Sequence, residues 1–339
     1  MLPWYDANAR SMPWREHHDP YWTWVSEIML QQTRVEAATG YFLRFMGALP
    51  TISDLAAVPD DELMKLWEGL GYYSRARNLK KAAQIVCEQY GGALPADYDA
   101  LLSLPGIGSY TAGAIASIAF GLPYPAVDGN VLRVVSRVTG CAADIAESAV
   151  KQAWETELTA ILPAERVGDF TQSLMETGAL VCLPNGVPQC SVCPLSKVCR
   201  AFLDNRTNEF PVKAPKKARR IEEYTVFLLL ANGRAALHKR PESGLLAGLW
   251  ELPMHSGHIE AEMVSAWFKQ HGISAKISKC KPAKHIFSHI EWRMQGYLVT
   301  LEAQLKTPEL IWAARSELDS LYTLPSAFKA YRKLLEQLL

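Results

Sequence analysis

The sequence contains no apolar run that approaches the roughly 20 residues needed to cross a membrane, so we expect no membrane partner. The stretch Met1–Asp6 lacks a basic region followed by an apolar core, so we expect no secretory signal and a cytoplasmic protein. Neither charge is in excess, since Lys plus Arg and Asp plus Glu both number 35. Any basic surface must therefore arise by segregation of charge. Internal repeats and low-complexity tracts are also absent.

Helical patterns occupy the first part of the 339-residue chain, whose length suggests about two domains. From Asp19 to about Phe202, apolar residues recur at helical spacing with breaks at Pro and Gly. Between Asn205 and Glu223 the composition changes to that of an exposed linker. This stretch contains Pro211, Pro215 and a basic cluster formed by Lys213, Lys216, Lys217, Arg219 and Arg220.

Beyond this stretch the pattern is that of an α+β domain. A buried strand over 224–230 is followed by an Asn232-Gly233 hairpin turn, a helix over 261–271 and a strand over 292–301. We therefore predict a multidomain protein: an all-α domain over 1–203, a basic linker over 204–222 and an α+β domain over 223–339.

The seven cysteines are an odd number, and four of them are bunched, which favours a reducing compartment and a metal site over a disulfide framework. The spacing is Cys-x7-Cys-x2-Cys-x5-Cys, formed by Cys182, Cys190, Cys193 and Cys199. Four thiolates so close in sequence can converge on a tetrahedral zinc or on an iron–sulfur cluster, and the spacing leaves both open.

The stretch from Leu101 to Arg133 predicts a helical hairpin that grips a DNA backbone. We expect Gly106 and Gly108 to permit a tight turn where a Cβ would clash, with a new helix from Thr111 onward. The free N–H groups at the start of a helix bind anions, phosphate above all. Some twenty residues later Asp128 follows in a Gly-containing loop.

Two carboxylates are candidates for catalysis. Glu27 lies among apolar residues, and burial would raise its pKa so that it could act as a general acid. Alternatively, Ser26 caps a helix and Glu27 only complements the helix dipole. Asp128 taken alone favours a simple Asp-Gly turn. Together the two carboxylates match the division of labour that breaks glycosidic bonds.

Leu104-Pro105-Gly106-Ile107-Gly108 with Asp128 resembles the helix–hairpin–helix–Gly/Pro–Asp signature of DNA glycosylases. The cysteine cluster over 182–199 resembles the 4Fe–4S loop of their endonuclease III branch. Within that branch, further stretches resemble the MutY-type adenine glycosylases, which act on adenine opposite 8-oxoguanine. These stretches are Pro13-Trp14-Arg15, Ser26 to Thr33, Gly69-Leu70-Gly71-Tyr72-Tyr73 and Val127-Asp128-Gly129-Asn130.

The resemblance implies a monomeric, monofunctional glycosylase of base excision repair, with a 4Fe–4S cofactor. Its substrate would be adenine mispaired with 8-oxoguanine or guanine in double-stranded DNA. Glu27 would protonate the flipped adenine at N7 and help to position or activate water. Asp128 would stabilise the oxocarbenium-like sugar or bond to it transiently, with Asn130 and Tyr110 in support.

The resemblance also implies two sets of binding residues. The adenine pocket would be lined by Trp14, Arg15, Leu30 and Glu176. The residues implied to enter the base stack or contact 8-oxoguanine are Gln32, Thr33, Leu70 and Tyr72, and the hairpin glycines Gly106 and Gly108 would contact DNA. Without the resemblance, core packing explains the aromatic and leucine side chains, and a structural salt bridge explains Arg15 with Glu176.

Two features depart from the family pattern. Tyr110 stands where bifunctional relatives place a lysine, so we expect no Schiff-base nucleophile there and no strong lyase activity. The interval between Cys182 and Cys190 is one residue longer than in the common family pattern, so Cys182 is the implied cluster ligand whose position departs from that pattern.

In the C-terminal domain, the stretch from Gly244 to Pro253 resembles the substrate side of a Nudix fold. The acidic metal box that should follow is missing from residues 259–272, so we expect no diphosphate hydrolysis. Phe287-Ser288-His289 resembles the loop with which MutY-type proteins inspect 8-oxoguanine. Ser288 would then bond to the lesion and His289 would contact phosphate, whereas a plain surface turn is the alternative.

Three other functions stay open at this point. One is an endonuclease III-like pyrimidine glycosylase with lyase action, which Tyr110 disfavours. Another is a non-catalytic iron–sulfur module for DNA binding or redox sensing, in which Glu27 and Asp128 would be dispensable. The third is a nucleotide hydrolase, disfavoured by the missing metal box.

Overall fold

The computed structural model describes residues 1–17, 19–215 and 218–339, which divide into two compact units. The first unit is Met1–Val58 with Arg77–Pro215, and the second is Pro59–Ala76 with the chain beyond Pro215. Lys216 and Lys217 of the predicted linker lie outside the described residues. Among the described helices, none is long and apolar enough to cross a membrane.

Helices dominate the chain up to residue 203, as predicted. They are α1 (Leu2–Asn8), α2 (Pro20–Leu30), α3 (Val35–Ala48), α4 (Ile52–Ala57), α5 (Asp60–Leu66), α6 (Ser74–Tyr90), α7 (Tyr98–Ser103), α8 (Ser109–Ala114), α9 (Gly129–Thr139), α10 (Ser148–Ala160), α11 (Val167–Glu176) and α12 (Arg200–Leu203). Short 3-10 turns cover Pro13–Arg15 and Cys190–Val192, while π-helical turns extend α8 over Ile115–Ala119 and α11 over Thr177–Val181.

Helix α2 begins at Asp19, not at Ser26. The Asp19 Oδ1 atom accepts hydrogen bonds from the backbone N–H of Tyr21 at 2.7 Å and of Trp22 at 3.3 Å. Ser26 lies inside the helix, where its hydroxyl donates to the Thr23 carbonyl at 2.9 Å. The alternative in which Ser26 caps a helix is therefore wrong, because Asp19 is the cap and Glu27 lies in the second half of α2.

The predicted hairpin is formed by α7 and α8. At Gly106 φ is +79°, and an added Cβ would come within 2.7 Å of the Asn78 Cβ, so the conformational prediction for Gly106 is confirmed. The prediction for Gly108 is wrong, because its φ is −95° and an added Cβ would point into open space. The new helix starts at Ser109, two residues before the expected Thr111.

The second unit contains a mixed sheet with helices on both faces. Its strands are β1 (Arg220–Ala231), β2 (Arg234–Lys239), β3 (Trp250–Glu251), β4 (Met254–Ser256), β5 (Ala275–Lys279), β6 (Ala283–Ile286), β7 (Ile290–Leu301) and β8 (Leu310–Ala313). Its later helices are α13 (Ala261–Gln270), α14 (Arg315–Ser320) and α15 (Lys329–Leu338), with a 3-10 turn over Ser326–Phe328.

The main path of this sheet runs β3-β2-β1-β7-β5, while β4 pairs with β1, β6 with β7 and β8 with β2. Strands β1 and β7 are parallel, and the other pairs are antiparallel. Alternate residues of β1 belong to opposite cores: Val226 and Leu228 share one with Phe328, while Leu229 shares the other with Phe268 of α13. Burial on both faces explains the continuous apolar run of this strand.

The stretch predicted as an exposed linker over 204–222 is ordered at both ends. The Arg137 Nε atom donates to the carbonyls of Thr207 at 3.1 Å and Phe210 at 2.9 Å. Phe210 is buried, and the Val212 carbonyl accepts from the Ile145 N–H at 3.2 Å. At the other end β1 already begins at Arg220. The first half of the stretch is thus held by buried hydrogen bonds within the first unit.

Candidate active site

A cavity of about 730 Å³ in the first unit brings together the two candidate carboxylates. Ten predicted site residues line it, although they are widely separated in sequence: Trp14, Arg15, Glu27, Leu30, Gln32, Thr33, Tyr110, Asp128, Asn130 and Glu176. A pocket of this size can hold a flipped nucleotide with its sugar.

Glu27 is buried, with 6% of its surface exposed, at the inner side of α2. Burial raises the pKa of Glu27 to about 7, and the nearby Asp128 carboxylate acts in the same direction. The Tyr110 hydroxyl opposes this shift by donating a short hydrogen bond to Glu27 Oε2. Burial also raises the pKa of Tyr110 well above 10, so its proton stays in place at neutral pH. Glu27 therefore exchanges a proton in the neutral range.

Asp128 is the N-cap of α9. Its Oδ1 accepts from the backbone N–H of Asn130 at 2.9 Å and of Val131 at 2.8 Å, while its Oδ2 accepts from Asn130 Nδ2 at 2.7 Å. Burial raises the pKa of Asp128 above its usual value, and these three donors, which favour the ionised form, offset only part of that rise. Asp128 thus has the structural role expected of an Asp-Gly turn and also lines the cavity.

Arg133 fixes the Asn130 side chain from behind. The Arg133 Nη2 atom donates to Asn130 Oδ1 at 2.9 Å and to the Gly178 carbonyl at 2.7 Å. The Arg133 Nε atom donates to the Cys182 carbonyl at 2.7 Å. Gly178 permits this approach, because an added Cβ would lie 2.6 Å from the Asn130 Cβ. Arg133 was not among the predicted site residues, although an arginine one turn after Asn130 on the mostly buried α9 was an available signal.

Glu176 is the acceptor for two arginines. It is 1% exposed and accepts from Arg10 at 2.8 and 2.9 Å and from Arg15 at 3.0 Å. Burial alone would raise the pKa of Glu176, but Arg10 and Arg15 together lower it. The structure thus forms the salt bridge that was the alternative for Arg15 and Glu176. It adds Arg10, which also lines the cavity and which no motif signalled.

The remaining predicted residues of the first unit differ in exposure. Trp14 is 6% exposed and meets the Phe42 ring edge-on at 5.2 Å, so it packs in the core while also lining the cavity. Gln32 is exposed and has φ of +61°, a left-handed conformation that a non-glycine residue rarely adopts.

The other predicted recognition residues lie in the second unit. Tyr72 is 47% exposed, has φ of +46°, and its hydroxyl lies 3.0 Å from Ser288 Oγ. Ser288 and His289 are exposed in the turn between β6 and β7, while the Phe287 ring meets the Trp292 ring edge-on at 5.0 Å. Leu70 is buried, with 8% exposed. The two stretches predicted to contact 8-oxoguanine from opposite ends of the sequence are thus in contact.

The four clustered cysteines line one small apolar cavity of the first unit together with Arg137. The Arg137 Nη1 atom lies 3.2 Å from Cys182 Sγ. Within the described ranges, no three His, Cys, Asp or Glu side chains are close enough to hold a single metal ion.

Comparison with known proteins matches both parts of the chain to family models. Residues 25–159 match the HhH-GPD superfamily base excision DNA repair protein model, and residues 225–336 match the NUDIX domain model. The chain is 36% identical to the adenine DNA glycosylase of Rattus norvegicus over 93% of its own length and 72% of the relative's. For the adenine DNA glycosylase of Homo sapiens the values are 34%, 98% and 72%.

Two solved structures resemble the helical part. A thermostable thymine-DNA glycosylase has a TM-score of 0.55 at 30% identity, covering 60% of this chain and 93% of that one. A non-covalent endonuclease III–DNA complex has a TM-score of 0.52 at 29% identity, covering 60% and 92%. The predicted combination of a helical glycosylase domain and a Nudix-like domain is confirmed. The chain therefore belongs to the adenine DNA glycosylases, base excision repair enzymes of the HhH-GPD superfamily.

Proposed function

We propose that this protein hydrolyses the N-glycosidic bond of adenine mispaired with 8-oxoguanine or guanine in duplex DNA and leaves the strand uncut. The observation that carries the proposal is the buried Glu27, whose pKa is raised to about 7, in the same cavity as the helix-capping Asp128. Two carboxylates in unlike environments divide acid and anion roles at one pH.

Glu27 is the general acid. With a pKa of about 7 it holds its proton in about half of the molecules at neutral pH and can deliver it to adenine N7. Protonation makes the leaving base neutral. One positioned acid contributes about 10²–10⁴-fold to a rate. The rest of the acceleration must come from stabilising charge on the sugar.

Asp128 supplies that stabilisation. The three donors on its oxygens hold the carboxylate in a fixed orientation and favour the anion. A preorganised anion beside a developing oxocarbenium ion needs no reorganisation as charge appears. Asn130, itself held by Arg133, keeps that orientation.

Selection of adenine depends on other residues that line the same cavity. Arg10 and Arg15 fix the buried Glu176, which leaves a rigid polar edge in the cavity, while Trp14 and Leu30 supply apolar surface. A buried polar edge rejects bases with the wrong donor pattern, because the mismatch leaves groups unpaired.

Recognition of the opposite base falls to Gln32, Thr33 and the second unit. Tyr72 and Ser288 present two neighbouring hydroxyls, and exposed His289 can meet a phosphate. Phe287 packs against the apolar core of the unit, and Leu70 is buried near Tyr72 in sequence, so both are held close to the residues that would meet the opposite base. At the hairpin, Gly106 gives the turn its shape and the open space at Gly108 leaves room for a DNA backbone.

Cys182, Cys190, Cys193 and Cys199 would hold a 4Fe–4S cluster. Support comes from the apolar cavity that the four cysteines line together. When bound, such a cluster ties the 182–199 loop together through iron–thiolate bonds. Iron and sulfide analysis of the purified protein tests the proposal, and stoichiometric zinc without iron would contradict it.

Strand cleavage is not expected, because Tyr110 supplies a hydroxyl to Glu27 where a lyase needs an amine. Lys151 does line the cavity, but its amine donates to Ser109 Oγ at 3.0 Å and lies 3.5 Å from Glu155 Oε1. Borohydride trapping with product DNA should therefore give little covalent complex. Strong trapping that is lost in Lys151→Gln would overturn this part of the proposal.

The substrate is tested with labelled duplexes that differ only in the base opposite adenine or in the target base. Alkali-labile sites should form at adenine opposite 8-oxoguanine and guanine, and not at adenine opposite thymine or at pyrimidines. Release of a pyrimidine with strand scission would instead identify an endonuclease III-like activity.

A further inference from the structure

Helix α5 and the loop after it belong to the second unit although the chain around them belongs to the first. We define the α5 segment as Pro59–Ala76, the excursion that clusters with the C-terminal part of the chain. It contains Leu70 and Tyr72, two of the residues proposed above to face the opposite base. The sequence patterns placed this segment within the predicted all-α domain over 1–203.

A partly buried ion-pair network holds the segment to α14 and α15. The Arg332 Nη1 atom donates a short hydrogen bond to Glu68 Oε1, while Lys65 Nζ donates to Glu68 Oε2 at 2.7 Å and to the Leu318 carbonyl at 3.0 Å. The three charged side chains are only 17–23% exposed. Such shielded pairs are less screened by water than the exposed pairs that contribute little.

Glu68 lies directly before the Gly69–Tyr73 loop, whose own backbone is also fixed. The buried Trp67 donates from Nε1 to the Gly71 carbonyl at 3.1 Å, and Arg75 Nη2 donates to the carbonyls of Leu70 at 3.1 Å and Gly71 at 3.2 Å. The loop is therefore a rigid piece, and a shift at its Glu68 end is passed on to Tyr72.

We propose that Arg332, acting through Glu68, positions the Gly69–Tyr73 loop so that the Tyr72 and Ser288 hydroxyls meet, and thereby sets the preference for 8-oxoguanine over guanine. Arg332 is a positioning residue, since it lies on α15 and reaches the loop only through Glu68. The inference rests on the proposed function, because it concerns how the same base pair is read.

The size of the effect follows from the hydroxyl pair. Tyr72 holds a left-handed backbone conformation that its surroundings must impose, and its hydroxyl sits 3.0 Å from Ser288 Oγ. Loss of the Glu68 anchor lets the loop shift as one piece, which separates the two hydroxyls. A displacement of about 1 Å in a positioned group can cost up to 10²-fold in rate. We expect a loss of about tenfold, because the Trp67 and Arg75 hydrogen bonds persist.

The test compares wild type, Arg332→Met and Glu68→Gln in single-turnover excision of adenine opposite 8-oxoguanine and opposite guanine. Both variants should lose about tenfold on the 8-oxoguanine duplex and less than about twofold on the guanine duplex. The double variant should be no worse than either single one, because both remove the same link. Arg332→Lys, which keeps a charge near Glu68, should recover part of the preference.

Glu336→Gln is the matched control, since it removes another partner of Arg332, at 3.1 Å, without touching the α5 segment. Its ratio of rates should match wild type. A purely structural role of Arg332 would lower the melting temperature and leave the ratio unchanged, which would overturn the inference. If Arg332→Met does not fold, an unchanged ratio in Glu68→Gln overturns it equally. A wild-type protein that excises no adenine refutes the proposed function, whereas a selective wild type with equally selective variants refutes only this inference.

Discussion

Replacing Tyr110 with phenylalanine removes a hydrogen bond that favours ionised Glu27. The Tyr110 hydroxyl donates to Glu27 Oε2 and lowers the pKa of that carboxyl against the effects of burial and of Asp128. Without this donor, the pKa of Glu27 should rise above about 7. Tyr110→Phe should therefore keep the acid protonated to higher pH.

The magnitude follows from the charge on the acceptor. A hydrogen bond to a charged group contributes about 1.5–3 kcal/mol, and one pKa unit corresponds to about 1.4 kcal/mol. The basic limb of the pH–rate profile should thus move upward by about one to two pH units. The acidic limb should move less, because Asp128 keeps its own three donors.

The assay is single-turnover adenine excision from about pH 5 to about pH 10, so that product release does not hide the chemical step. Wild type should lose rate as the pH rises through about 7, because the proton on Glu27 is lost there. The rate of Tyr110→Phe relative to wild type should rise with pH, even if its maximum is lower. Tyr98→Phe is a control, since Tyr98 stacks on Tyr124 at 4.2 Å rather than contacting Glu27. A basic limb that stays in place or moves downward would refute this role of Tyr110.

Three further changes probe the same site. Glu27→Gln should stabilise the protein at pH 8 and not near pH 4. The pKa of Glu27 is raised from 4.5 to about 7 on folding, so its contribution to stability is full below pH 4.5 and is lost as the pH rises through 7, by roughly 3 kcal/mol. Chemical denaturation of both proteins at several pH values measures this difference. Asp128→Asn keeps a capping oxygen but loses the charge, so excision should fall at least about 10²-fold while the free energy of unfolding changes by about 1 kcal/mol or less. A loss of excision no larger than the loss of folded protein explains would instead show that Asp128 only caps the helix. Gly178→Ala forces a Cβ against Asn130 and should cost about 1–3 kcal/mol of stability and most of the activity, whereas Gly108→Ala, which points into open space, should leave stability near wild type.

The local patterns of the sequence were enough to predict the type of most elements, whereas most of the residues that line the cavity were implied by the resemblance to a known family. The strand over 224–230, the Asn232-Gly233 turn and the helix over 261–271 are all present, since each depends on periodicity or turn chemistry within a few residues. Glu27 and Asp128 could be paired because their motifs resemble a known family, and the cavity now contains both.

Tertiary partners were beyond the reach of those patterns. Arg10 meets Glu176 across 166 residues of sequence, and Arg133 joins Asn130 to the carbonyls of Gly178 and Cys182. An isolated arginine shows no period or motif that reports such a contact. The grouping of the α5 segment with the second unit likewise involves contacts between residues far apart in sequence, such as the Glu68–Arg332 pair, which local propensity does not report.

The predictions for the hairpin glycines and for a helix cap at Ser26 were only partly correct. Gly106 has a positive φ beside Asn78, whereas Gly108 has an ordinary φ and free space around it. A sequence shows that a glycine is present but not whether its conformation or its missing Cβ is used. The same limit applies to Ser26, a residue type that caps helices but here lies inside one.

Single-turnover excision by Glu27→Gln, with adenine opposite 8-oxoguanine, tests most directly whether Glu27 protonates the leaving adenine. Glutamine keeps the shape of the side chain but has no proton to give. We predict a loss of at least about 10²-fold relative to wild type, with duplex binding retained. A Glu27→Gln protein that excises adenine at the wild-type rate would contradict the account.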